Sequence, residues 1–140
     1  METRVKWARG MKFIAETDDQ HSVTMDADSK FGGENGGPRP MQLLLVALGG
    51  CTGMDVVSIL RKMRVAFDSF QIEVKAERAE EHPKVFRRVD VKYVISGDDI
   101  PEDKFLKAIQ LSHDRYCPVT AIFQETADIT ISSEIVQKDA

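Results

Sequence analysis

An α+β fold is predicted by three features of this 140-residue sequence. Two stretches alternate apolar and polar residues around a short turn, which reads as an antiparallel hairpin. Two others carry helical spacing, and the longer is apolar on every side over its first half. The strands come in sequence-adjacent pairs, so the sheet is mainly antiparallel with helices on one face. The expected architecture is thus a mainly antiparallel sheet with a long buried central helix and a second helix. The length fits a single domain over residues 1–140, which buries enough surface for a core without staples.

The N-terminal stretch sets Val5, Trp7, Arg9, Met11 and Phe13 against Lys6, Ala8, Gly10 and Lys12, which predicts one strand. Thr17 to Gln20 is a turn, and His21 to Met25 a second strand. Phe31 to Pro40, rich in glycine and proline, must be a loop. From Pro40 to Arg64 the pattern is helical, with Pro40 suited to the first position. Met41 to Leu48 is apolar all round, so it is expected to be covered all round, in part by a second subunit. Phe70 to Glu77 and Arg87 to Ile95 form the hairpin, turning through Glu80 to Lys84. Asp99 is a candidate cap for a helix starting near Pro101. That helix runs into Ser112 to Pro118, a short helical piece follows, and Ala127 to Ser132 reads as the last strand. Asp139 and Ala140 are expected to fray.

Composition narrows the function classes. Lys plus Arg is 19 against 23 for Asp plus Glu, a net charge of −4, which gives no general pull toward phosphate backbones. Nucleic acid is therefore not an expected partner. No signal peptide is visible, and the run Leu43 to Leu48 is too short to span a bilayer, so the expected compartment is the cytoplasm and no membrane partner is expected. Two cysteines exclude a disulfide scaffold and a four-thiolate zinc site. Together with His21, His82 and His113 they show no ligand spacing, so no metal or other cofactor is expected.

The two cysteines are the candidate chemistry. Cys51 follows Gly49 and Gly50 and precedes Thr52 and Gly53. It reads either as a small core residue or as a thiol that something must approach. Cys117 precedes Pro118, which favours a helix start, where the dipole stabilises a thiolate. It reads equally as a boundary residue packed beside Tyr116. As a pair they suggest redox chemistry, one sulfur attacking and the other resolving the product. Asp55, one turn after Cys51, would raise that thiol's pKa.

The run Gly37 to Gly53, GPRPMQLLLVALGGCTG, resembles the cysteine-bearing central helix of the OsmC/Ohr family, and Leu111 to Val119, LSHDRYCPV, resembles its second cysteine motif. The resemblance covers nearly the whole chain. It implies an intertwined α+β homodimer with the central helices packed together and the active sites at the interface. It further implies that Cys51 is peroxidatic and Cys117 resolving, with an Arg and a Glu beside the thiolate. Met41 and Gln42 stand where the family's Glu belongs, and Glu34 is the nearest carboxylate. Arg9 and Arg39 are the candidate cations, and Gln42 is expected to bond a guanidinium without charge assistance.

Two functions follow. One is a thiol-dependent peroxidase for organic hydroperoxides, acting in oxidative-stress defence. It would run through a Cys51 sulfenic acid and a Cys51–Cys117 disulfide, with a dithiol of the lipoyl type as reductant. The other is a non-catalytic dimeric module that binds a small apolar or thiol ligand at the interface.

Overall fold

The computed structural model describes residues 1–137, so the fraying expected at Asp139 and Ala140 lies outside the described residues. The chain forms two compact units, Met1–Leu44 and a second from Leu45 onward.

The first unit is a three-stranded antiparallel meander of β1 (Thr3–Arg9), β2 (Lys12–Thr17) and β3 (Ser22–Met25). The single strand expected over residues 5–13 is a hairpin. Gly10 takes φ +53°, the chain reverses, and Trp7 pairs with Phe13. The Trp7 indole N–H donates to the Gly10 carbonyl at 2.8 Å and closes the turn. Val5, Trp7 and Phe13 remain exposed. After β3 the loop folds back over Asp26, whose carboxylate accepts the N–H groups of Ala27, Glu34 and Gly36. The loop glycines allow this closeness: a Cβ on Gly33 would overlap the Ala27 carbonyl, and one on Gly37 the Thr24 carbonyl.

Helix α1 (Pro40–Lys62) begins in the first unit and runs through the second. Arg39 is its N-cap, Pro40 its first residue, and Gln42 reaches back to accept the Arg39 N–H at 2.8 Å, half of a capping box. At its C-terminus the Val65 N–H bonds the Leu60 carbonyl and the Arg64 N–H that of Arg61, with Arg64 at φ +59°. This is a Schellman closure with Arg in place of the usual Gly. By length and composition alone the whole helix could cross a bilayer, which the run 43–48 could not. One side of it is nonetheless core, since Leu48, Thr52, Val56 and Leu60 are buried at successive turns.

The second unit carries a three-stranded sheet in the order β4 (Ser69–Arg78), β5 (Phe86–Gly97), β6 (Asp128–Gln137). The β4–β5 pair is the expected hairpin, and β6 lies parallel to β5, with Val89, Val91 and Ile95 opposite Ile129, Ile131 and Ile135. A register shift at Glu77/Arg78 brings Phe86 inward and leaves both Arg87 and Arg88 exposed. Helix α2 (Glu102–Leu111) buries Phe105, Ala108 and Ile109. Asp99 does not cap it: Asp99 sits in the turn at φ +52°, and Pro101 holds the cap position without a side-chain bond. Phe70 stacks on Tyr93 and meets Phe105 edge-on, and Phe86 stacks on Phe123 of α3 (Pro118–Gln124). The observed order is βββ–α–ββ–αα–β, an α+β arrangement that is mostly antiparallel but divided between two sheets.

Candidate thiol site

Cys51 lies midway along α1, where Gly49 and Gly53 turn to the sheet. A Cβ on Gly53 would come 2.9 Å from Ile72 Cδ1, so the missing side chain lets helix and strand approach. A Cβ on Gly50 would meet nothing within 4 Å. The approaching partner at Gly53 is therefore strand β4.

Cys117 closes the chain's one described π-helical turn, Ser112–Tyr116. Its N–H bonds the Ser112 carbonyl at 2.9 Å, five residues back. Its backbone then turns extended and Cys117 becomes the N-cap of α3, with the Thr120 N–H donating to its sulfur at 3.3 Å. Cys117 is 5% exposed, and both thiols are free. The Cys51 thiol has the Cys117 side chain and the Val119 N–H beside it. Residues 66 positions apart in sequence thus share one site.

Burial pushes the Cys51 thiol above its ordinary pKa, and the Cys117 side chain and the charge of Asp55 push the same way. The Val119 N–H pulls it down. None of these influences is a cation.

Four polar side chains on the elements that carry the thiols and on β5 form one hydrogen-bonded line. The Ser112 hydroxyl donates to Asp55 Oδ2 at 2.8 Å. A hydroxyl has one proton, so Ser112 must accept from Thr52, 2.8 Å away, and Thr52 in turn accepts from the Tyr93 hydroxyl at 2.7 Å. The donor order is fixed along its length: Tyr93, Thr52, Ser112, Asp55. Burial keeps the Tyr93 hydroxyl protonated to higher pH than usual, which suits its place as first donor. Of these four, the sequence singled out only Asp55. Thr52 and Ser112 lie within the two cysteine motifs, but a five-residue π spacing is not a pattern that helical periodicity reveals.

The remaining candidates fall in the first unit. Arg9 Nη2 meets Glu34 Oε2 at 3.0 Å, and Lys12 shares that carboxylate at 3.5 Å. The Arg39 guanidinium is held by Asn35 Oδ1 at 2.8 Å and the Gly37 carbonyl at 3.0 Å, with Asp28 at 3.7 Å. The Gln42 amide oxygen bonds the Arg39 backbone rather than a guanidinium, because it caps α1. Arg115 is exposed and lies over the Tyr116 ring. No group of three or more His, Cys, Asp or Glu able to hold a metal occurs among the described residues.

A separate groove of about 1020 Å³ runs between the outer side of α1 and β4, lined by Val46, Gly50, Met54, Phe70, Ile72 and others. Neither cysteine lines it.

An α+β chain with a thiol in its central helix and a second at the start of a short helix defines a class of cysteine-bearing proteins. The chain belongs to the OsmC-like protein family, whose model matches residues 32–132. It is 35% identical over 136 residues to protein YhfA of Escherichia coli K12, covering 97% of this chain and 98% of that one. A crystal structure of a hypothetical protein from Aquifex aeolicus VF5 is 31% identical with a TM-score of 0.86, covering 99% and 97% of the two chains. The fold is shared with an organic hydroperoxide resistance protein OsmC from Legionella pneumophila, 18% identical with a TM-score of 0.71 and covering 96% and 97%.

Proposed function

We propose that the protein is a thiol-dependent peroxidase that reduces organic hydroperoxides. The supporting observation is the pair Cys51 and Cys117, side by side and both reduced. The Cys51 thiolate attacks the distal peroxide oxygen, the O–O bond breaks, and the alkoxide leaves as an alcohol after taking a proton. Cys51 is then a sulfenic acid. The Cys117 sulfur attacks it, the S–S bond forms, and hydroxide departs as water with the Cys117 proton. A dithiol of the lipoyl type returns the disulfide to two thiols.

A thiol raised by burial needs a cation to react near neutrality. Arg9 fits the role better than Arg39. Arg39 is tied into its loop by three partners, whereas Arg9 is held by one carboxylate, Glu34, as the family's Arg is held by its Glu. Glu34 would thus replace the carboxylate missing at Met41 and Gln42. The proposal includes a homodimer. Val46 is 65% and Met54 76% exposed on α1, an apolar face that a second copy would cover. Light scattering should give twice the 15.7 kDa chain mass.

The test is a free-thiol count before and after one equivalent of cumene hydroperoxide. Wild type should lose both thiols together. Cys51→Ser should lose neither, and Cys117→Ser should consume one peroxide and stall. Retention of both thiols in wild type would refute the peroxidase. The second reading, a non-catalytic dimeric binding module, would then stand. It is favoured by an apolar groove that excludes both cysteines.

A further inference from the structure

We propose that Asp55 and Ser112 are positioning residues that hold Cys117 in register with Cys51, and so direct the oxidised sulfur toward the disulfide. The inference rests on reading the two cysteines as a redox pair. Ser112 stands at the junction of two sets of bonds. Through its side chain it is fixed to α1, at Thr52 and Asp55, the positions one and four residues after Cys51. Through its carbonyl it receives the Cys117 N–H across the π turn. Three bonds meeting at Ser112 therefore connect the α1 segment bearing one thiol to the backbone of the other. Ser112 and Thr52 are fully buried, so no water competes for these bonds.

The π turn makes sense on this account. An ordinary α-helical continuation of α2 would carry residue 117 on around the helix axis. One extra residue in the turn swings Cys117 out to the N-cap of α3, beside Cys51. Such inserted turns are destabilising by themselves and persist where other bonds hold them. Here those bonds are the two that Ser112 makes to α1. The fixed donor order adds directionality. Removing Asp55 leaves the Ser112 proton without its acceptor, while Ser112→Ala cuts the line between Thr52 and Asp55.

The measurement is the equilibrium constant of the Cys51–Cys117 disulfide in glutathione redox buffer. In that reaction oxidised glutathione takes two electrons from the dithiol and yields two reduced glutathiones. It needs no peroxide, so the result stands whether or not the protein is a peroxidase. Ser112→Ala and Asp55→Ala should each lower the constant about tenfold or more, the scale of losing a hydrogen bond to a charged group. Asp55→Asn keeps an acceptor oxygen for Ser112 but not the charge, and should lose clearly less than Asp55→Ala. Thermal melts of each variant confirm that it is folded. In a separate peroxide titration the two alanine variants should accumulate several times more Cys51 sulfinic acid than wild type. A wild-type equilibrium constant in both folded alanine variants would overturn the proposal, as would an Asp55→Asn loss equal to that of Asp55→Ala. Failure of wild type to react with cumene hydroperoxide would instead refute only the peroxidase reading.

Discussion

Gly33 packs so tightly on Ala27 that a Cβ at position 33 would overlap the Ala27 carbonyl oxygen and carbon. The obstacle is backbone on both sides, and that backbone is held by the Asp26 carboxylate through the Ala27 and Glu34 N–H groups. Neither segment can step aside without breaking these bonds. Gly33→Ala is therefore expected to destabilise the first unit by about 1–3 kcal/mol, the range of a forced backbone shift. Calorimetry of the folded variant checks it.

Asp26 sets a pH limit on the same loop. The Ala27 N–H, with those of Gly36 and Glu34 and the Lys12 charge, holds its carboxyl below the ordinary value of 3.8 despite its burial. A group whose folded pKa is lowered stabilises the fold above its unfolded pKa and loses that contribution as pH falls through the folded one. The loop should therefore be fully anchored above pH 3.8 and loosen below it. Asp26→Asn, with one acceptor and a repelling amide, should melt below wild type at pH 7. The two melting curves should converge below pH 3.8. Parallel curves down to pH 2 would show that the charge is not what anchors the loop.

The thiol gives a second pH prediction. Within one chain, burial, Cys117 and Asp55 all raise the Cys51 pKa above 9.0. If Arg9 activates the thiol, its removal exposes that intrinsic tendency. The iodoacetamide rate of Cys51 is measured against pH in a Cys117→Ser background, with and without Arg9→Ala. Adding Arg9→Ala should move the midpoint upward by about one unit or more, as expected for losing a nearby opposite charge. Coincident profiles would remove Arg9 from the site and leave Arg39 to be tested in the same way.

Much of the fold was legible because it follows periodicity. The β4–β5 hairpin alternates at period two, and α1 and α2 carry apolar residues at helical spacing. The misreadings lie where one residue breaks a period. Gly10 reverses the chain inside an otherwise regular alternation, so β1 and β2 read as one strand. Asp99 has a capping side chain but a left-handed backbone, and proline takes the cap position. The cysteines were visible as motifs, and so was Asp55 as a charge one turn from Cys51. Ser112 was not, because its role depends on a π turn joining a side-chain bond to a backbone bond.

Gln42 supplies the last prediction. The expectation that it bonds a guanidinium fails on geometry: its amide oxygen accepts the Arg39 N–H at 2.8 Å, while the Arg39 guanidinium turns to Asn35, Gly37 and Asp28. A carboxylate in its place can make the same bond with a full charge. It would also sit in the first turn of α1, which has no acidic residue, where negative charge favours the helix dipole. Gln42→Glu should therefore stabilise the protein by about 0.3–1 kcal/mol, with the gain reduced in high salt. It should not speed peroxide consumption, because Glu34 already holds Arg9. A higher melting temperature with an unchanged stopped-flow rate near pH 7 is the expected pair of results. A faster rate at unchanged stability would mean that position 42 faces the activating Arg after all, and would move the carboxylate's role from Glu34 back to the start of the helix.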